Sequence, residues 1–155
     1  MRYTRGKWTA SYRDTFSLDT TLSPIIYAGL SRFHDVLEQK NREGKCIGIP
    51  SAYCSDCETG PTDIDVQNWL DDIKKMMYAF ENKEPDMSLY DFKLTMVPVE
   101  CNLAKSYEGK FGKSYTIECD NLEEKARYRA DCDEHERLVQ EGLDLFAKRW
   151  KSLWW

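Results

Sequence analysis

An unbroken, proline-free run from Asn121 to Trp155 constrains this chain more than any other feature. Apolar or small residues recur at Tyr128, Cys132, His135, Val139, Gly142, Phe146, Trp150 and Leu153. The steps are threes and fours, which hold one stripe on one side of a helix. Leu122 extends the stripe upstream. Glu123 and Glu124 open the run, and Lys148, Arg149 and Lys151 close it, in the sense that suits the helix dipole. Glu123–Arg127, Asp133–Arg137 and Asp144–Lys148 are spaced for pairing one turn apart. A helix of about 30 residues spans about 45 Å. A segment of that length is the expected spine of the molecule.

Two further helices are expected to pack on it. Thr20 to Asn41 carries Leu22, Ile25, Ile26, Gly29, Leu30, Phe33 and Leu37 on one face, with Asp19 or Ser23 as cap and Pro24 near the first turn. Gly29 and Gly142 each permit a close neighbour, and a crossing between them is expected. His34 falls beside the stripe and reads as a boundary residue. Ile64 to Asn82 presents Val66, Trp69, Leu70, Ile73, Met76, Met77 and Phe80 to a core, after a cap at Thr62 or Asp63. A methionine-containing stripe of this kind reads as core packing.

Residues 86–119 change period. Tyr90, Phe92, Leu94 and Met96 alternate with Asp91, Lys93 and Thr95, the pattern of a half-buried strand. Pro98 pushes its end toward a sheet edge. Ser114 to Cys119 is the expected partner strand, and the basic segment Lys105 to Lys113 the connection between them. The expected fold class is therefore α+β, mostly helical, with three main helices packed around a long C-terminal helix and a small antiparallel β-hairpin. At 155 residues a single domain over 1–155 is expected, with an N-terminal arm (1–18), a cysteine-containing loop (41–63) and a hairpin insertion (86–119).

Charge and composition narrow the function classes. A net charge of −5 disfavours general nucleic-acid binding, which needs an excess of cations against phosphate. No apolar run approaches the ~20 residues of a membrane span. Met1 to Asp19 contains no apolar run of the secretory type, so a cytoplasmic location is expected. In a reducing compartment the six cysteines do not imply a disulfide framework. Cys54 and Cys57 form C-x-x-C with Cys46 upstream, and Cys101, Cys119, His34 or His135 would have to complete a zinc site. The usual second pair is missing, so free loop thiols are the preferred reading, and Cys132 reads as a small buried hydrophobe. Asp131 and His135 share a helix face without further convincing ligands. No nucleophile motif and no glycine-rich phosphate loop occurs; Glu108 to Gly112 lacks the following helix.

Three blocks, FSLDTTLSPIIY (16–27), WLDDIKKMMYAFE (69–81) and EGLDLFAKRWKSLWW (141–155), resemble in order a group of small proteins encoded by tailed bacteriophages and prophages. The last block carries the most specific part of the pattern. The cysteine loop and the hairpin lie outside it. The resemblance implies an origin, and with it the cytoplasm of an infected bacterial host, but no mechanism.

The expectation is a non-enzymatic, phage-encoded binding protein acting in counter-defence. It would sequester a nucleotide signal or block a host effector protein, the two expected partners. No catalytic residue, metal or cofactor is expected. Trp8, Tyr12, Arg13, Trp154 and Trp155 are the candidate ligand-binding residues, because indole and phenol rings stack on bases and a guanidinium meets phosphate. Of the two terminal indoles, one is expected in the core and one at an interface with a second copy, making a homo-oligomer. The alternatives are a structural or replication accessory protein of the phage and a metal-dependent enzyme.

Overall fold

The structure, a computed structural model, describes residues 2–4, 6–9, 18–44, 48–55, 60–81, 83–99 and 114–153. Strands β1 (Arg2–Thr4) and β2 (Lys7–Thr9) come first, followed by helices α1 (Leu18–Arg42) and α2 (Asp63–Phe80). Strands β3 (Leu94–Val99) and β4 (Ser114–Cys119) and helix α3 (Leu122–Arg149) complete the order. The fold is α+β and mostly helical, with a long C-terminal helix, as the apolar periods imply. The strands form two antiparallel hairpins, β1–β2 and β3–β4. The chain divides into two compact units, Met1–Lys83 with Glu136–Trp155, and Glu84–His135. No helix among the described residues is long and apolar enough to cross a membrane.

In the first unit, the start of the expected N-terminal arm is a tight hairpin. Tyr3 opposes Trp8, and Gly6 takes the positive φ of 77° that its turn requires. Helix α2 begins at a capping box. Thr62 accepts from the Asp65 N–H, while the Asp65 carboxylate accepts from the Thr62 N–H at 2.8 Å. The same oxygen of Asp65 also accepts from the Thr62 and Ser55 hydroxyls (2.8 and 2.9 Å) and from the Ser55 N–H (3.3 Å). The cysteine loop is thereby tied to the start of α2.

The core lies where α1 and α2 face one another. It contains Leu30, Phe33, Leu37, Val66, Trp69, Leu70, Ile73, Met76 and Phe80. Trp69, Leu37, Ile73 and Met76 are fully enclosed, and burial of side chains this size contributes about 1.5–3 kcal/mol each. Phe33 meets Trp69 edge-on, with 6.4 Å between centroids. The expected spine contributes less. Gly142 is the buried residue of α3, while Leu145, Phe146 and Leu153 pack on the core from its margin. The stripe is real, but the centre of burial belongs to the two shorter helices.

Helix α1 starts earlier than the pattern suggests, so Pro24 sits within the helix and forgoes one ladder bond there. The expected crossing of Gly29 and Gly142 does not form. Gly142 instead lies against α2, where a Cβ would stand 2.3 Å from the Lys75 carbonyl oxygen and 2.7 Å from the Ala79 Cβ; a Cβ at Gly29 would meet nothing among the described residues within 4 Å. Around the Gly142 contact, Phe146 packs edge-on to Phe80 at 4.9 Å, and Lys75 donates to Glu141 at 2.7 Å. His34 is largely buried, with its Nδ1 3.9 Å from Asp35 and its Nε2 without a partner among the described residues.

In the second unit, Asn121 caps α3 by accepting from the Glu124 N–H at 3.2 Å. β3 pairs with β4 in a register that sets Leu94 opposite Cys119, Met96 opposite Ile117 and Pro98 opposite Tyr115. Those six residues share one face. The expected half-buried strand is more open than its alternation implies: Leu94, Met96, Tyr115 and Ile117 are all exposed. Tyr90 and Phe92 precede the strand rather than belonging to it, and pack instead on Tyr128. The helix-surface pairing also shifts, with Arg127 reaching Glu124 at 3.6 Å. In the first unit Arg137 reaches Glu141 at 3.4 Å, and Asp144 accepts from Gln140 at 2.8 Å.

Two outcomes follow from these contacts. Gly142→Ala gains about 1 kcal/mol of helix propensity but drives a methyl into backbone that cannot rotate away. Overpacking of that kind costs about 1–3 kcal/mol. A lower urea midpoint with an unchanged slope is expected, and an unchanged or higher midpoint would contradict the close approach. Asp65, held mainly by the Thr62 N–H, has its carboxyl lowered from 3.8 to about 2. The stability it contributes is complete above the unfolded value and is lost as pH falls from about 4 toward about 2. Chemical denaturation across that window should show a shallower acid dependence for Asp65→Asn than for the parent; equal slopes would remove the assignment.

Candidate functional site

The second unit builds a pocket from one face of α3 and the chain that precedes β3. Lys125, Tyr128, Arg129 and Cys132 recur at three- and four-residue spacing, so they lie on one side of the helix. Across from them, a single 3-10 turn over Met87–Leu89 is capped by Asp86, which accepts from the Ser88 N–H at 2.9 Å. The following segment is pinned twice. The Asn121 side chain donates to the Asp91 carbonyl at 3.1 Å, and the Lys93 N–H donates to Asp120 at 2.7 Å. These bonds place Met87, Phe92 and Leu94 opposite the helix face. The pocket is open on one side and has a volume of about 360 Å³, within the range of small-ligand sites.

Two of the pocket's lining residues are aromatic, Phe92 and Tyr128, and two are cations, Lys125 and Arg129. Tyr128 packs at 5.7 Å on Phe92 and at 5.1 Å on Tyr90. Tyr90 is turned away by its own partners: its hydroxyl donates to Asp131, and the Arg127 guanidinium stands 5.6 Å from its ring centre. The hydrogen bond to Asp131 raises the Tyr90 hydroxyl above its ordinary pKa. A hydrogen bond with Cys132 does the same to Tyr128. Among the described residues Lys125 and Arg129 have no carboxylate partner and none of the residues lining the pocket is a carboxylate, although Glu84 and Asp86 stand near enough to act on the Tyr128 hydroxyl. In a chain of net charge −5 these two cations stand out.

Two other concavities belong to the first unit. A cleft of about 660 Å³ is lined by Asp72, Lys75, Arg137, Gln140, Glu141, Asp144, Leu145 and Lys148. Three of its charges are already joined: Lys75 and Arg137 both engage Glu141, which lowers the Glu141 carboxyl and raises Lys75. A groove of about 460 Å³ beside α1 is apolar apart from Arg32. The cleft has no aromatic wall, and the groove offers one cation, Arg32, where the pocket of the second unit offers two.

The polar cluster around Tyr53 is a clamp rather than a reaction centre. Its hydroxyl donates to Asp72 and accepts from Arg149 Nε at 3.2 Å, and its ring lies 5.0 Å from Trp69, beneath the Arg149 guanidinium at 4.7 Å. Burial and then the bond to Asp72 push the Tyr53 hydroxyl up to about 12. A phenol held protonated in this way fastens the 48–55 segment and is no general base.

The residues singled out from the sequence are placed differently. Trp8 occupies β2 opposite Tyr3, and of it only the backbone is described. Tyr12, Arg13, Trp154 and Trp155 lie outside the described residues, as do Cys46, Cys57, Cys101 and the Lys105 to Lys113 segment. Cys54 is half-buried near the Pro50 carbonyl, and Cys132 is a pocket wall rather than a core hydrophobe. Asp131 is engaged by Tyr90, and no group of three or more potential metal ligands occurs among the described residues. The signal for the pocket is present in the sequence as Lys125, Tyr128, Arg129 and Cys132 at helical spacing, but Met87 and Phe92 become its far wall only through the fold. The sequence matches no protein-family model, no curated protein and no solved structure.

Tyr53→Phe removes a hydroxyl bonded to two charged groups, an interaction class worth about 1.5–3 kcal/mol. A loss in that range by urea denaturation, with ligand binding in the second unit unchanged, is the expected result. A neutral effect would show that the clamp is only a surface contact.

Proposed function

We propose that this chain is a non-enzymatic, phage-encoded binding protein that sequesters a small anionic ligand bearing an aromatic ring, with a nucleotide signal as the fitting class. The observation that carries this reading is the pairing of the Phe92–Tyr128 wall with Lys125 and Arg129, which have no carboxylate partner among the described residues, around one pocket. A base would stack on the rings, while the cations, one helical turn apart, would meet phosphate oxygens. The volume suits a mononucleotide more than a dinucleotide. The block resemblance to tailed-phage proteins supports a counter-defence setting in the cytoplasm of the infected host, where removing a signalling nucleotide needs affinity and no turnover.

Blocking a host effector protein is the second reading, favoured by the open apolar face of Leu94, Met96, Tyr115 and Ile117. The two readings separate by mutation. Met96→Asp with Ile117→Asp would abolish effector capture and leave nucleotide uptake intact.

Native mass spectrometry and equilibrium dialysis against cyclic mononucleotides, nucleoside monophosphates and cyclic dinucleotides provide the test. One mononucleotide class is expected to bind with one ligand per chain. Lys125→Glu and Arg129→Glu should each weaken it by about tenfold or more, equivalent to about 1.4 kcal/mol, with an unchanged circular dichroism spectrum. No uptake of any of the three classes would overturn the sequestration reading.

A further inference from the structure

Helix α1 carries an apolar core stripe and, beside it, a second stripe in which four apolar residues alternate with a glycine and two cations. The first, with Leu30, Phe33 and Leu37, faces α2 and is buried. The second runs through Leu18, Leu22, Ile25, Gly29, Arg32, Val36 and Lys40, again in steps of three and four. That is the spacing of a helix-pairing seam. It is open: Leu18 and Ile25 are 44% and 55% exposed, and Gly29 and Arg32 are exposed too. Beside it lies the 460 Å³ groove, floored by Leu30 and Phe33 and flanked by Trp150, which is 62% exposed.

Gly29 is the informative residue. A glycine in a helix interior costs about 1 kcal/mol relative to alanine. At Gly142 the close approach of α2 explains it; at Gly29 nothing among the described residues lies within 4 Å of where a Cβ would be. The stripe is also symmetric about this position. Leu22 and Val36 are each seven residues from Gly29, and Leu18 and Lys40 each eleven.

We infer that α1 pairs antiparallel with α1 of a second copy, with the two-fold axis passing at Gly29. Leu22 of each copy then packs on Val36 of the other, and Ile25 reaches the level of Phe33, where it fills the groove. Charge selects both the occupant and the direction. α1 has Asp19 in its first turn and Lys40 and Arg42 in its last. Asp19 lies about 15 Å to one side of the axis and Lys40 about 16 Å to the other. Antiparallel copies therefore bring Asp19 of each beside Lys40 of its mate, twice per dimer, with the helix dipoles opposed. A parallel pair would stack Arg32 on Arg32 and Lys40 on Lys40. The contact is isologous, as a closed two-fold dimer requires.

Sedimentation equilibrium over the micromolar range, with circular dichroism as a fold control, tests the inference on the full chain. The parent is expected to be a dimer. Ile25→Asp, at an exposed position, should weaken dimerisation by about tenfold or more, equivalent to about 1.4 kcal/mol, while keeping the helical spectrum. Asp19→Lys and Lys40→Asp should each weaken the dimer, and the double variant should restore it. A monomeric parent, or a dimer indifferent to Ile25→Asp, would overturn the pairing. Failure of the double variant to restore would overturn the antiparallel direction.

Discussion

The first unit depends on one close approach. At Gly142 the absence of a Cβ lets α3 lie against the Lys75 carbonyl and the Ala79 methyl. A helix held any farther out would lose its marginal contacts in turn. Phe146 would leave Phe80, Glu141 would leave Lys75, and Arg149 would no longer reach the Tyr53 hydroxyl. The last of these matters for the loop, because Tyr53 sits against Trp69 and helps enclose the core. The chain of consequences runs from one missing methyl to the placement of residues 48–55. It works through dispersion and hydrogen bonds, each small and all sensitive to a fraction of an ångström.

A similar economy governs the second unit. Its hairpin has two strands and an exposed apolar face, an arrangement that is marginal in water without support. The support comes from the aromatic group of Tyr90, Phe92 and Tyr128 and from the polar anchors Asn121 and Asp120. The same anchors form the pocket, so the geometry that steadies the hairpin also fixes the distance between the rings and the two cations. Binding there would therefore stabilise the unit, since a ligand held only by the folded form shifts the equilibrium toward it.

Much of this was legible in residue spacing, and the rest was not, for identifiable reasons. The α2 stripe from Val66 to Phe80 maps onto the core residue by residue, except that Met77 is partly exposed. A 3.6-residue period reports that a face is apolar, but not which neighbour covers it or how deeply. The α3 stripe is as regular as that of α2, yet it contributes one buried glycine. The two glycines illustrate the same limit. Both permit closeness, but only Gly142 is met by a described neighbour, and which one depends on helix packing that no local pattern encodes. Alternation in 89–99 overstated burial because it cannot distinguish a strand covered by helices from one left open. The candidate site was missed because its walls come from Met87 and Phe92 on one side and a helix more than thirty residues later on the other. Trp8 and the terminal indoles have the chemistry of a stacking site, but sequence spacing carries no information on what lies beside them.

The unpaired groups then carry the functional argument, since satisfied ones explain themselves. Lys75, Glu141 and Arg137 neutralise one another, and Asp72, Tyr53 and Arg149 do the same. Such clusters hold the fold and leave little for a ligand to complete. Lys125 and Arg129 carry charge that nothing described answers, beside rings that nothing described covers on the pocket side. On α1, Gly29 bears a helix-propensity cost that no described contact offsets. Each is a place where the isolated chain departs from local consistency between residue and environment, and such departures concentrate where a second molecule completes the structure. A ligand that completed the pocket would carry negative charge and a ring; the partner inferred for α1 would carry the shape and charge of α1 itself.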